Sequence, residues 1–293
     1  MCDRFHSGRR QELFPRIPGR GGKIGPTIPR LLSLVSVTFS RRSGSVPLLS
    51  VLTAVRNAIP EFFAEAAASV AAQELPAGWE LEWLVQEDGD DPAASELCPG
   101  ARYEANGAQL GTATTRNLAL SRARGELVAV LDYDDVLLPG GLGTVVNAFA
   151  EHPGIGWAVG QADDLVDGVT VPYELKYPCG LVTAGTIGKL YEETGLCQVA
   201  CAGLVMPTEI VRAFGGWAAI PRAEDVGLFI AISEVYDGYQ EPAVTWAYRK
   251  HPAQTTHAGK EDRWGPHQDR FIRQRLDVVR AGVVNRCVRP GQV

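Results

Sequence analysis

Residues 132–135 read Asp-Tyr-Asp-Asp and follow directly on the apolar run Leu127-Val128-Ala129-Val130-Leu131. Three carboxylates within four positions repel one another unless a cation or bulk water relieves them. The partner that such oxygens favour is a hard divalent ion, Mg²⁺ or Mn²⁺, whose shell substrate phosphates can complete. The competing reading is a solvated acidic turn, because Asp-x-Asp is common by itself. The buried type of strand before it and Leu137-Leu138-Pro139-Gly140 after it favour the metal. Other groups capable of chemistry carry similar rivals. Glu224 and Asp225 open a helical pattern, where acids also simply suit the helix dipole. Arg116 on a helix can pair with a carboxylate, and His251, before Pro252, can be an ordinary loop residue. Trp217 is a candidate ligand platform, although tryptophans are more often core. The six cysteines lack a CxxC pair, and Cys197 and Cys201 alone stand close together, so all six read as free thiols in a reducing compartment.

The acidic segments belong to an alternating pattern. Leu48 to Thr53 reads as a short buried strand. Asn57 and Pro60 open a helix with Phe63, Ala66, Ala67 and Val70 at helical spacing. Leu81 to Val85 forms a second strand, stopped by Glu87-Asp88-Gly89-Asp90-Asp91-Pro92, and a short third lies near Ala101 to Glu104. Gly111 to Ala123 reads as a helix and Leu127 to Leu131 as a strand. A helix follows over Gly140 to Ala150, with Pro139 suited to its first turn. Beyond Glu151 the pattern predicts strands at Trp157 to Gly160 and Ala243 to Tyr248, and helices at Thr208 to Phe214, Glu224 to Tyr236 and Arg263 to Ala281. Strands alternating with helices imply an α/β fold with a mostly parallel sheet flanked by helices. In such sheets ligands bind at the carboxyl ends of the strands, where Glu87-Asp88 and Asp132 to Asp135 fall. The less regular C-terminal half is expected to shape an acceptor side.

Several segments together resemble the family 2 glycosyltransferases of the GT-A fold, over about residues 48–256. Ser50 to Asn57 (SVLTAVRN) resembles the family's first strand and turn. Glu82 to Asp90 (EWLVQEDGD) resembles its second strand, ending in two acids, and Gly111 to Leu120 (GTATTRNLAL) its "ARN" helix. Arg124 to Asp135 (RGELVAVLDYDD) resembles the segment that ends in its Asp-x-Asp. Phe214-Gly215-Gly216-Trp217, Glu224-Asp225 and Tyr248-Arg249-Lys250-His251-Pro252 resemble its later landmarks.

The resemblance implies a role for each matched residue. Asp134, with Asp132, would bind the metal that bridges the donor diphosphate, and His251 would reach that metal or the diphosphate. Thr53, Ala54 and Arg56 would line the base and ribose. Glu87 or Asp88 would bond the base, which favours a UDP-linked sugar. Arg116 would approach the donor phosphates, and Asp225, with Glu224 beside it, would be the general base of a single inverting displacement. Arg56 stands where the family has Tyr or Phe, Glu87 replaces the first Asp and Asp90 replaces Ser, so recognition of the base departs from the pattern. Two other functions remain open: a nucleotide-sugar-binding module without turnover, which retention of Asp132, Asp134 and Asp225 disfavours, and a nucleotidyltransferase, which the glycine-free turn at Thr53 to Asn57 disfavours.

Bulk composition narrows the partners. The chain has 293 residues and a net charge of −6. Residues 1–46 carry nine Lys/Arg against Asp3 and Glu12, whereas the rest carries 19 basic and 32 acidic residues. An acidic body argues against nucleic acid as partner. The Gly-, Pro- and Arg-rich stretch 1–46 is expected to be a disordered basic tail, either touching an anionic partner or arising from a start assigned too far upstream. Residues 47–260 form the expected catalytic domain and 261–293 a C-terminal helix and tail. No run approaches the roughly 20 apolar residues of a membrane span, and Leu31 to Val37 is short for a signal peptide, so a cytoplasmic location is expected. The acceptor left by these readings is a small molecule, a carrier-bound intermediate or a glycan. The oligomeric state stays open, with a homodimer as one option. The Ala-, Gly- and Arg-rich usage resembles that of high-GC bacterial proteins, which suits natural-product or cell-surface glycan assembly.

Overall fold

The computed structural model describes residues 46–90, 92–173, 179–197, 199, 202–254 and 265–282. The expected tail before residue 46, Cys2, Cys201 and Cys287 lie outside these residues. Ten strands and seven helices make up the described body. The first half contains β1 (Leu48–Val55), α1 (Pro60–Ala71), β2 (Glu80–Glu87), a 3₁₀ turn (Pro92–Leu97), β3 (Arg102–Ala105), α2 (Thr112–Arg122), β4 (Leu127–Val130), β5 (Val136–Leu137) and α3 (Gly141–Glu151). The second contains β6 (Trp157–Val166), β7 (Val169–Pro172), β8 (Gly180–Val182), α4 (Thr186–Thr194), β9 (Val205–Pro207), α5 (Thr208–Ala213), α6 (Glu224–Val235), β10 (Gly238–Lys250) and α7 (Gly265–Arg280).

One sheet runs in the order β3-β2-β1-β4-β9-β6-β10-β5, with β7 beside β6 and β8 beside β10. Strands β3, β2, β1 and β4 are parallel, as the alternating pattern requires. Strand β9 is antiparallel to both β4 and β6, and β10 is parallel to β6. Two reversals restore the direction, so β10 runs the same way as β4. The C-terminal ends of β1, β2, β4 and β10 therefore open on one edge, which delivers Arg56, Asp88, Asp132 and His251 there.

The period-2 alternation of β1 builds two core layers. Val51 and Val55 pack with Phe63, Ala66 and Val70 of α1 and with Leu142, Val145 and Phe149 of α3. Leu52 faces the other layer, with Leu120 of α2, Phe229 and Ile232 of α6, and Ile272 and Leu276 of α7. Helix α7 thus shares its core with α6. Trp217 is 3% exposed within this second layer, so its ring is core and not a sugar platform. Helix α3 begins one position later than its proline predicts. Gly140 is the N-cap with φ +68°, and a Cβ on Gly141 would overlap the carbonyl of Thr245, so glycine lets α3 approach β10 closely. Cys98, Cys179 and Cys197 are free thiols, and burial pushes Cys197 up to about 12. No described helix is long and apolar enough to cross a membrane.

The opposite edge is held by a buried carboxylate. Glu82 accepts bonds from the Ser50 hydroxyl (2.7 Å), the Arg124 N–H (2.7 Å), the Arg124 Nε (3.0 Å) and the Arg102 guanidinium (2.6 Å). Burial pushes its pKa up, but these donors together outweigh burial and hold it below the usual carboxylate range. A depressed carboxylate contributes stability that is present above the unfolded pKa and is lost as pH falls through the folded one. The wild type is therefore expected to lose more stability between roughly pH 5 and pH 3 than Glu82→Gln does, which urea titrations across that range would show.

Candidate active site

Strand β4 ends at Val130, and the chain turns through Asp132 to Asp135 before β5 pairs with β10. The three carboxylates of this turn have three different environments. Asp135 is fully buried and its Oδ1 accepts the backbone N–H of Arg249 at 2.9 Å. Burial, then the neighbouring Asp132 and Asp134, raise its pKa well above the usual carboxylate range. Its role is to tie the turn to β10. Asp134 lies 2.9 Å from His251 Nε2 through Oδ2. Burial and Asp132 raise its pKa, and the bond to His251 opposes them. Asp132 binds Arg116 at 2.6 Å, and its side chain is 41% exposed, which leaves room for a second partner.

Arg116 joins two elements that are far apart in sequence. One terminal nitrogen donates to Asp132 and the other to Glu224 of α6 at 2.7 Å. The side chain is only 5% exposed. The resemblance would have it approach the donor phosphates, but both terminal nitrogens are occupied by carboxylates and the group is sealed from solvent. The carboxylate-pairing alternative is the arrangement observed. Arg116 therefore acts on the site through Asp132 and Glu224.

Glu224 is buried. Burial raises its pKa, Arg116 lowers it, and Asp225 raises it again. Asp225, half-buried on the first turn of α6, accepts the N–H of Val226 at 2.7 Å and lies within the field of Arg116. The helix starts from Ala223 at φ +57°, an uncommon conformation for alanine, and such strain persists where the surroundings over-determine it.

The set expected to bind the base is only partly open. Thr53 is fully buried, and its hydroxyl accepts the Trp83 indole N–H at 3.0 Å, so it supports β1 from the core and lines no pocket. Its side chain points inward because it shares the parity of Val51 and Val55. Ala54 is half-buried and Arg56 exposed. Glu87 accepts the Tyr103 hydroxyl. Asp88 accepts the N–H groups of Leu110 (2.5 Å) and Gly111 (3.0 Å) and fixes the entry to α2. Ala54 and Arg56 are thus the accessible members.

Further residues escaped the sequence reading. Arg249 and Gln254 were not singled out, although the motif around His251 contains the first. Asn117, next to Arg116, donates to Trp217 O (2.7 Å) and accepts the Trp217 N–H (3.0 Å), which anchors the Phe214–Trp217 turn. Gly216 has φ +64°, and a Cβ there would overlap Asn117 Oδ1. Gly216→Ala is expected to break this clamp and to cost roughly 1–3 kcal/mol, measured by denaturant unfolding.

Among the described residues no three His, Cys, Asp or Glu side chains form a ready metal cage. A carboxylate and an imidazole nevertheless meet at 2.9 Å, and His251 Nδ1 is buried with no partner. The carboxylates of residues 132, 134, 135, 224 and 225 gather around Arg116, Arg249 and His251. That donor set and charge surplus fit a hard divalent cation whose remaining ligands come from a bound phosphate.

Residues 50–176 match the family described as glycosyl transferase family 2. The uncharacterized protein y4gI of Sinorhizobium fredii (strain NBRC 101917 / NGR234) is 34% identical over 140 residues, 44% of this chain. The chain spans only 15% of that relative's length. Among solved structures, S. aureus TarS 1–349 in complex with UDP-GlcNAc superposes with a TM-score of 0.58 at 16% identity, over 83% of this chain and 76% of that one. The same TarS fragment in complex with UDP gives 0.56 at 18% identity, over 78% and 71%. These two likenesses concern the fold. Taken with the motifs that run in order from β1 to the acidic turn, the match makes residues 50–176 similar to glycosyl transferase family 2.

Proposed function

We propose that the protein transfers a sugar from a UDP-linked donor to an acceptor hydroxyl or amine, with inversion at the anomeric carbon. The observation that carries this reading is the meeting of Asp132, Asp134, Arg116, Glu224, Asp225 and His251 at one edge of the sheet. The complexes of TarS with UDP and UDP-GlcNAc support a UDP-linked donor for the shared fold. Ala54 and the exposed Arg56 would receive the base, with Arg56 stacking through its guanidinium where an aromatic ring is usual. Asp88 shapes that wall by fixing Leu110 and Gly111.

Asp134 and His251 would hold Mn²⁺ or Mg²⁺, which when bound supplies positive charge at the departing diphosphate. The remaining steps belong to the chain itself. Asp225 takes the proton from the acceptor as its oxygen or nitrogen forms the new bond to the anomeric carbon. The bond from that carbon to the diphosphate oxygen breaks, and UDP leaves with the electron pair. Glu224, engaged by Arg116, holds the first turn of α6 in register with Asp132. An inverting displacement requires base and leaving group on opposite sides of the sugar, and Asp225 and the Asp134–His251 pair would take those two positions.

The test is consumption of UDP-sugars in Mn²⁺, read as UDP release. Release from at least one donor supports the reading. Tight binding of donors with none consumed, even with a broad acceptor panel, would favour the binding module.

A further inference from the structure

The described residues hold one buried guanidinium at this edge to which the proposed reaction gives no part. Arg249 is on β10, two positions before His251, and its side chain is 6% exposed. Its backbone N–H donates to Asp135 Oδ1 (2.9 Å) and its Nε donates to the backbone carbonyl of Asp134 (2.7 Å). One residue thus pins two consecutive members of the acidic turn. The other end of the fork donates to Glu65 Oε2 of α1 at 2.6 Å, and the guanidinium lies 4.4 Å from the Phe62 ring centre. The same Phe62 ring packs against the His251 ring at 4.9 Å. Gln254 closes the turn: its side-chain amide donates to Arg249 O, its carbonyl accepts the His251 N–H at 3.2 Å, and its own N–H donates to His251 O at 3.2 Å.

Asp134 sits among like charges, so its carboxylate meets His251 only if its backbone is held against that repulsion. The backbone carbonyl bond from Arg249 does so, and the Gln254 turn sets His251 from the same residue. We infer that Arg249, anchored by Glu65 and Phe62, is the positioning residue that aims Asp134 and His251 at a common cation. This rests on the metal-assisted reading of the site. A lysine keeps the charge at this position but cannot span Asp134 O and Glu65 with a planar fork.

The experiment is Mn²⁺ titration at fixed UDP, followed by calorimetry, for wild type, Arg249→Lys and Glu65→Gln, with thermal melting of each. Partners that orient metal ligands typically alter metal affinity by roughly 10–100-fold. Arg249→Lys is expected to raise the Mn²⁺ midpoint within that range while UDP binding in EDTA stays unchanged, and Glu65→Gln to shift it the same way by less. Should Arg249→Lys fail to fold, Glu65→Gln and Phe62→Leu decide on the same midpoint. Variants that melt earlier but keep a midpoint within twofold of wild type would overturn the positioning role alone, because a merely structural arginine moves the melt and not the midpoint. A wild type that takes up no UDP in Mn²⁺ would overturn both this inference and the reading beneath it.

Discussion

Asp225→Asn is expected to lower turnover by roughly 10²–10⁴-fold, the span that a positioned general base contributes. Asn keeps the size and can still accept the Val226 N–H that Asp225 accepts, so the first turn of α6 should persist. Asp134 and His251 bond to each other while Asp225 accepts from Val226, and donor affinity should therefore stay within about twofold. The pattern to look for is a collapse of kcat with an unchanged Kd for UDP. Glu224→Gln serves as the contrast. It weakens the bond to Arg116 and should reduce both stability and rate moderately. A full rate in Asp225→Asn would remove this residue from the role and leave Glu224 as the candidate.

Arg116→Leu is expected to have the largest effect on stability, about 3–5 kcal/mol, because it strands the buried carboxylate of Glu224 beside Asp225 and Asp132. Removing one partner of a buried ion pair leaves the other charge desolvated and unpaired, which costs more than losing both. Adding Glu224→Gln to Arg116→Leu should then recover part of the loss, a non-additivity that a double-mutant cycle by urea denaturation would read directly. Simple addition of the two single losses would show that Arg116 supports the fold without coupling to Glu224.

Most of the first half of the fold was legible because its longer elements announce themselves locally. Strands β1 and β4 are apolar runs, α1 has Pro60 at its start and a regular apolar stripe, and the parallel order follows from strand–helix alternation. The later half was read only in part. Strand β6 was visible as Trp157 to Gly160, but it continues through Gln161, Asp163 and Asp164, whose polarity hides a strand that pairing with β10 and β7 sustains. Strands β5, β8 and β9 have two or three residues each, too short for any period. Strand β7, with four residues, is exposed throughout and buries neither face. Helix α4 did leave a signal that went unused: Gly185 and Gly195 bracket it in left-handed conformations, with Ile187, Leu190 and Tyr191 at helical spacing between them.

The site shows the same division. Carboxylates at strand ends could be read from residue type and position, and the motif order suggested which helix would meet them. Partner choice could not. That Arg116 bridges Asp132 to Glu224, 108 residues onward, is decided by how α2 and α6 pack across one layer. Thr53 was placed in the pocket by motif, yet strand parity turns it into the core. Arg249 was inconspicuous because its importance lies in backbone acceptors, which no side-chain motif displays.

The central claim is that this edge binds a nucleoside diphosphate through a cation held by Asp134 and His251. Calorimetric titration of UDP into wild type and Asp134→Ala, in Mn²⁺ and again in EDTA, tests it most directly. The account predicts binding by wild type in Mn²⁺ that weakens strongly in EDTA and in Asp134→Ala alike. Equal affinity under all these conditions would contradict the cation's place in the site, and no binding of any nucleoside diphosphate in Mn²⁺ would mean that the chain keeps the family fold without its donor pocket.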